Sequence, residues 1–205
     1  MSSLDHTTIE GPDEATSPRR LLSRDERRAA IIDCAAAAFV RAGYTGTSMD
    51  DVARASGVTK LIIYRNFDSK EAVYRGVLEA VSGRLAEVFA GEIEAGRRPA
   101  GARALLTVAR EDPDAFVLLW RHAVREPRFA AYAEEFRGAA TAITRELIDD
   151  QVQTELLDWA AQTLVDWNVQ AVLAWLTHGS PEGDEEFIER ARRTVRAMLS
   201  AWAEF

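Results

Sequence analysis

Apolar residues recur three and four positions apart along most of the chain, the signature of helices with one buried face. Ile31, Ala35, Ala38 and Phe39 mark such a face, and Ser23 followed by Glu26 has capping-box spacing, so a first helix is expected from near Arg24 to Ala42, ending at Gly43. Two short helices follow. Ser48 with Asp51 repeats the capping-box spacing and starts one near Met49; Gly57 stops it, and Thr59 is placed to cap the next. Val52, Ala53 and Val58, with Ile63 and Phe67, supply the seam between them. A fourth helix opens between Asp68 and Glu71 and runs to about Ala95, carrying Val73, Val77, Leu78, Val81, Leu85, Val88 and Phe89.

The stretch Glu94 to Gly101 breaks the pattern. Helices are then expected over residues 102–111 and 114–125, divided at Asp112-Pro113 because proline disfavours helical geometry in the residue before it. Pro127 makes a further break, and a helix over 128–150 follows. Residues 154–176 are apolar almost all round, which requires cover from most directions. Gly179 to Gly183 is a turn, and Asp184 caps the closing helix. Without repeats or alternating strand and helix signals, the class is all-α.

The stretch from Thr47 to Lys70 is the one from which chemistry can be argued. Its helix-turn-helix pattern leaves Lys60, Leu61, Ile62, Tyr64 and Arg65 on the outer face of the second short helix, with Lys70 at the head of the next. Cations neutralise phosphates and read guanine edges, while apolar groups meet thymine methyls, so this face suits a DNA major groove as well as it suits solvent. Thr47, Ser48, Tyr64 and Lys70 are expected phosphate contacts; Lys60, Leu61, Ile62 and Arg65, behind the Thr59 cap, are the expected groove-facing residues.

The net charge of −8 argues against a nucleic-acid partner until it is divided. Residues 19–75 hold 11 Lys/Arg against 7 Asp/Glu, whereas residues 76–205 hold 14 against 22. A basic reader joined to an acidic partner domain gives this segregation. The single cysteine, Cys34, excludes a disulfide framework and is expected to be a buried, inert thiol. Neither a zinc spacing nor a cofactor motif is present. Residues 1–18 are polar enough to be a disordered tail, followed by Arg19 and Arg20, which fit a solvated junction better than an arm reaching a minor groove or phosphate. Neither a secretory signal nor a membrane-length apolar run is seen, so a cytoplasmic protein without a membrane partner is expected.

From Arg27 to about Leu78 the chain resembles the DNA-binding domain of the tetracycline-repressor (TetR) family of bacterial regulators. The resemblance rests on Ile31, Ala35, Phe39, Gly43-Tyr44, Thr47-Ser48, Val52-Ala53, Gly57-Val58, Lys60, Tyr64, Phe67 and Ser69-Lys70-Glu71, in matching order and spacing. Leu61 departs from the small residue or proline usual there, and Asp50 stands where some members carry a base-contacting arginine. The resemblance implies three parts: the tail 1–18, a helix-turn-helix domain over 19–70, and a helical effector-binding and dimerisation domain over 71–205. It also implies a ligand-responsive regulator, most often a repressor, gripping a palindromic double-stranded operator as a homodimer.

The last two helices would then form the dimer interface, through Val172, Trp175, Leu176, Val195, Met198, Leu199 and Trp202. A largely apolar small-molecule effector would sit among Phe116, Leu119, Trp120, Phe129, Tyr132, Phe136, Trp159 and Trp167, and the fourth helix would carry its signal. Two alternatives stay open on the residues alone: an architectural or protein-recruiting DNA binder without an effector, and a cofactor-free helical enzyme or carrier. The second finds little support, since His6, His122 and His178 have no partner in a catalytic pattern and the chain reads as a non-enzyme.

Overall fold

A computed structural model describes residues 23–203, and every regular element in that range is helical. The tail expected over residues 1–18, the Arg19-Arg20 junction and His6 fall outside the described residues. Helix α1 (Arg24–Gly46) opens with the capping box, Glu26 N–H donating to Ser23 Oγ and Ser23 N–H to the Glu26 carboxylate. Its helical path ends where the glycine signal lies. Gly43 sits at φ 70°, ψ 170°, a region open essentially to glycine alone, and only a short turn continues to Gly46. Ile31, Ala35, Ala38 and Phe39 are all buried. Cys34 is exposed, contrary to expectation, because it projects away from the face that Ile31 and Ala35 turn to the core.

Helices α2 (Met49–Ala55) and α3 (Lys60–Asn66) pack against α1 and each other around a turn in which Gly57 takes φ 63°. Val52, Ala53, Ile63 and Phe67 form their buried seam. Thr59 stands at the N-cap of α3 by backbone geometry alone, with no side-chain capping bond. From α1, Arg28 lies over the Phe67 ring at 4.2 Å and donates to Asn66 O at 2.7 Å, clamping the exit of α3.

The long α4 (Lys70–Glu94) leaves this three-helix unit and enters the rest of the molecule. Helices α5 (Gly101–Glu111), α7 (Ala130–Ile148), α8 (Leu157–His178) and α9 (Asp184–Ala203) complete the second unit, with α8 covered by α5, α7 and α9. The split at Asp112-Pro113 is present, and the Asp112 carboxylate accepts from Ala115 N–H to open α6 (Pro113–Val117). The single helix expected over 114–125 is instead three short pieces: α6, a π-turn at Leu118–His122, and a 3₁₀ turn at Ala123–Arg125. The wider turn places Leu118, Leu119 and Trp120 all in the interior, which a regular helix face would not do for three consecutive residues.

At the far end of α4 the buried Glu92 accepts a bidentate pair from Arg97, at 2.9 and 2.7 Å, with Arg103 of α5 and Arg192 of α9 both within 4 Å. The Arg97 hydrogen bonds, opposed by burial and aided by the other guanidinium charges, hold the Glu92 carboxyl below its usual pKa. One anion therefore ties α4 to α5, α9 and the loop between α4 and α5.

Candidate DNA-reading face and effector cavity

Ser48 opens α2 with a reciprocal capping box: Asp51 N–H donates to Ser48 Oγ, and Ser48 donates through its amide and hydroxyl to Asp51. The Ser48 hydroxyl bond, with its amide and then Arg54, lowers the Asp51 pKa to about 2, so this box stays formed near neutrality. The consequence is a fixed start for α2. On the outer side of α3, Leu61 is 60% exposed and Tyr64 48%, and Thr59, Lys60 and Arg65 are exposed around them. Ile62 is half-buried against the core. Lys60 Nζ donates to Asp50 at 2.8 Å, and that hydrogen bond, with the charge behind it, raises the lysine pKa. Both partners are half exposed, so the ion pair is cheap to exchange for phosphate or a base edge.

Two of the expected phosphate contacts are occupied inside the protein. Thr47 is buried, its hydroxyl donating to Ala38 O at 3.1 Å and Gly43 O at 2.7 Å. Lys70 Nζ donates to Tyr44 O at 2.6 Å and Thr47 O at 2.7 Å and sits 4.4 Å from the Tyr44 ring centroid. Two of its three N–H groups thus fasten the turn after α1 to the head of α4. Sequence order placed both residues beside the reader; it could not show that carbonyls of the turn had claimed them.

The reader also touches the second unit directly. Phe129, just before α7, is fully buried and stacks on Tyr74 of α4 at 4.2 Å, with Tyr44 edge-on at 5.3 Å and Phe39 meeting Tyr74 at 4.9 Å. Burial pushes the Tyr74 phenol well above its ordinary pKa, so it stays neutral within this ring cluster. One turn on, the Tyr132 and Ser82 hydroxyls lie 2.7 Å apart, joining α7 to α4.

A cavity of about 410 Å³ opens among α4, α5, α7, α8 and α9, a size suited to a small molecule. Of the eight residues expected around a ligand, Trp120 and Phe136 line it. Phe116 and Leu119 are solid core; Phe129 serves the seam with the reader and Tyr132 ties α7 to the middle of α4; Trp167 packs on a second apolar cluster. Trp159 points outward, 53% exposed, edge-on to Trp202 at 4.9 Å. Most of the cavity wall is aliphatic or small, with Leu85, Leu105, Ile143, Leu147 and Leu164 around it and Ala104, Ala139 and Ala140 leaving the space, and Phe89 joins Trp120 and Phe136 as its aromatic residues. The available signal was Ala104 on α5 and the Ala139-Ala140 pair on α7, on otherwise apolar faces.

The dimer candidates divide in the same manner. Val172, Val195 and Leu199 are buried within the protomer, so their side chains are spent on its own core. Trp175 stacks on Phe187 at 5.0 Å and donates to Asp184 Oδ1 at 2.7 Å. Leu176, Met198 and Trp202 keep part of their surface open, and Trp202 lies beside the exposed Trp159.

An outward, mixed cationic and apolar α3 on a three-helix unit, joined by α4 to a helical unit with a cavity, defines a DNA-binding transcriptional regulator of the helix-turn-helix class. Residues 31–77 match the family model described as bacterial regulatory proteins, tetR family. The chain is 28% identical over 176 residues to the HTH-type transcriptional activator FasR of Mycolicibacterium smegmatis, covering 82% of this chain and 80% of that one. It is 32% identical over 125 residues to the HTH-type transcriptional repressor KstR2 of Rhodococcus jostii, covering 54% and 60%. In fold it is similar to a TetR-like regulator from Rhodococcus sp. RHA1, with a TM-score of 0.72, 19% identity and coverage of 88% and 99%. The fatty acid degradation regulator FadR from Bacillus halodurans is also similar in fold, at 0.67, 16%, 82% and 94%. The helix-turn-helix segment, residues 31–77, is thus that of the tetR family of bacterial regulatory proteins, and the chain as a whole shares the fold of a TetR-like regulator.

Proposed function

We propose that the chain is a homodimeric repressor that grips a palindromic operator through paired α3 helices and releases it when a largely apolar small molecule fills the cavity. The observation that carries this is the outer face of α3, where Leu61 and Tyr64 stand exposed between Lys60 and Arg65. Apolar surface of that kind is retained at a cost in solubility unless a partner meets it. Ser48 and Tyr64 contact phosphates, Lys60, Leu61 and Arg65 face the bases, and Thr59 stands at the edge of the groove.

A second copy is required because one short helix spans only a few base pairs, whereas a two-fold pair doubles the contact and sets the half-site spacing. Trp159 and Trp202, with Met198 and Leu176, offer the apolar surface on α8 and α9 for that pairing. The domain division supporting this reading is a reader up to the start of α4 and an effector and dimer unit beyond it, with α4 shared.

Sedimentation of the protein alone and with duplexes selected from a random pool tests the proposal. A particle of twice the 22.7 kDa chain mass, and inverted repeats among the selected duplexes, are the expected results. A monomer bound to single, unrepeated sites would overturn it.

A further inference from the structure

The cavity is lined almost wholly by apolar groups, and two polar atoms among its lining residues have no partner among the described residues. These are Asn168 Oδ1 on α8 and Trp120 Nε1 on the π-turn, and both side chains are more than nine-tenths buried. Buried polar atoms are almost always paired, so an unpaired donor and an unpaired acceptor among the lining residues of one cavity call for an explanation. Packing alone does not supply it, since leucine at 168 or phenylalanine at 120 would fill similar space without the penalty. Nor is the chemistry of either atom ambiguous. Asn168 Nδ2 donates to Leu164 O at 2.8 Å, which fixes the amide and leaves the carbonyl oxygen over, and an indole nitrogen only donates.

Building on the effector cavity proposed above, we infer that Asn168 and Trp120 are its polar recognition point, and that the effector is an apolar molecule carrying a neutral hydroxyl. A hydroxyl can donate to Asn168 Oδ1 and accept from Trp120 Nε1, or one such group can serve each. A carboxylate has no proton to offer Asn168. The charged lining residues are Arg98 and Arg196, both exposed, with Arg196 donating to Arg98 O, so no cation stands in the interior wall to receive an anion there. Each of the two atoms is itself covered, so the ligand meets it through a small torsion of the side chain. For Trp120 the π-turn eases that movement, since such turns depart from regular helical hydrogen bonding.

Three probes of matched length separate the possibilities: 1-decanol, its isomer 1-methoxynonane, which accepts but cannot donate, and decanoate. Calorimetric titration of the full chain is expected to give decanol the tightest binding, about two- to tenfold ahead of the ether. Asn168→Leu should erase that ratio, while Trp120→Phe should weaken alcohol and ether alike. The unliganded Asn168→Leu protein should melt no lower than the native one, because a buried unpaired acceptor has been removed. A ratio unchanged by Asn168→Leu, or decanoate binding most tightly, overturns the inference and leaves the effector cavity standing. Failure of all three probes to bind a protein that still retains operator DNA overturns the cavity reading and this inference with it.

Discussion

Replacing Lys60 and Arg65 together by alanine is expected to weaken operator binding about a hundredfold or more while leaving urea unfolding unchanged. Both side chains are exposed, and the one contact seen at Lys60 is the half-exposed ion pair to Asp50, so the fold loses little with them. The loss to DNA is larger for two reasons. A good bidentate contact to a base edge is worth about 1–3 kcal/mol, and a dimer makes each contact twice. Selectivity between operator and random duplex should fall together with affinity. By comparison, Tyr64→Phe removes only a hydroxyl placed for phosphate and should weaken all duplexes evenly. Fluorescence anisotropy with operator and scrambled duplexes reads both quantities. Double-mutant affinity within a factor of two of the native value would move the reading surface away from α3.

The second large effect is on stability and falls at Phe129. Its ring is fully buried, stacked on Tyr74 of α4 and edge-on to Tyr44 at the end of α1, so it touches the reader as well as the shared helix. Deleting a buried phenylalanine ring costs about 3–5 kcal/mol through lost transfer free energy and the cavity left behind. Phe129→Ala should therefore shift the urea midpoint far to lower denaturant. Because α7 both lines the cavity and begins at this ring, the surviving folded protein should also keep operator affinity while losing most of its response to a cavity ligand. A change of under about 1 kcal/mol in unfolding would mean that the cluster closes over the gap and carries no coupling.

The sequence expectation made α4 the sole covalent carrier between the two units, and it remains the only one among the described residues. What periodicity could not reveal is the parallel, non-covalent contact through Phe129 and the rings it meets. Phe129 read as one more aromatic on an apolar stripe, and its partners, Tyr44 and Tyr74, lie 85 and 55 positions away in the chain. Capping boxes at Ser23 and Ser48, the stops at Gly43 and Gly57, and the break at Asp112-Pro113 were legible because each is a local bargain between a side chain and its own backbone. The π-turn at Leu118–His122 was not, because the demand to bury three consecutive residues comes from neighbours far away in sequence. Thr47 and Lys70 show the same limit near α3: the sequence offered them as phosphate contacts, but their hydrogen bonds are committed to backbone carbonyls of α1 and the turn after it. Within the cavity, the mass of a side chain was a poor guide. Space is created where alanines replace large residues, so tryptophans at helical spacing lay mostly elsewhere.

Position-specific cleavage of DNA tests the reading face most directly. Cys34 is exposed and would compete for a thiol reagent, so it is first changed to serine; Leu61→Cys then carries a tethered cleaving group on α3, with Glu155→Cys, before α8, as the control. If α3 lies in the major groove, the Leu61 tether cuts the operator at two sites placed symmetrically about its centre, and the Glu155 tether leaves the duplex whole. Equal or absent cutting from the two positions would contradict the assignment of α3 as the element that meets DNA.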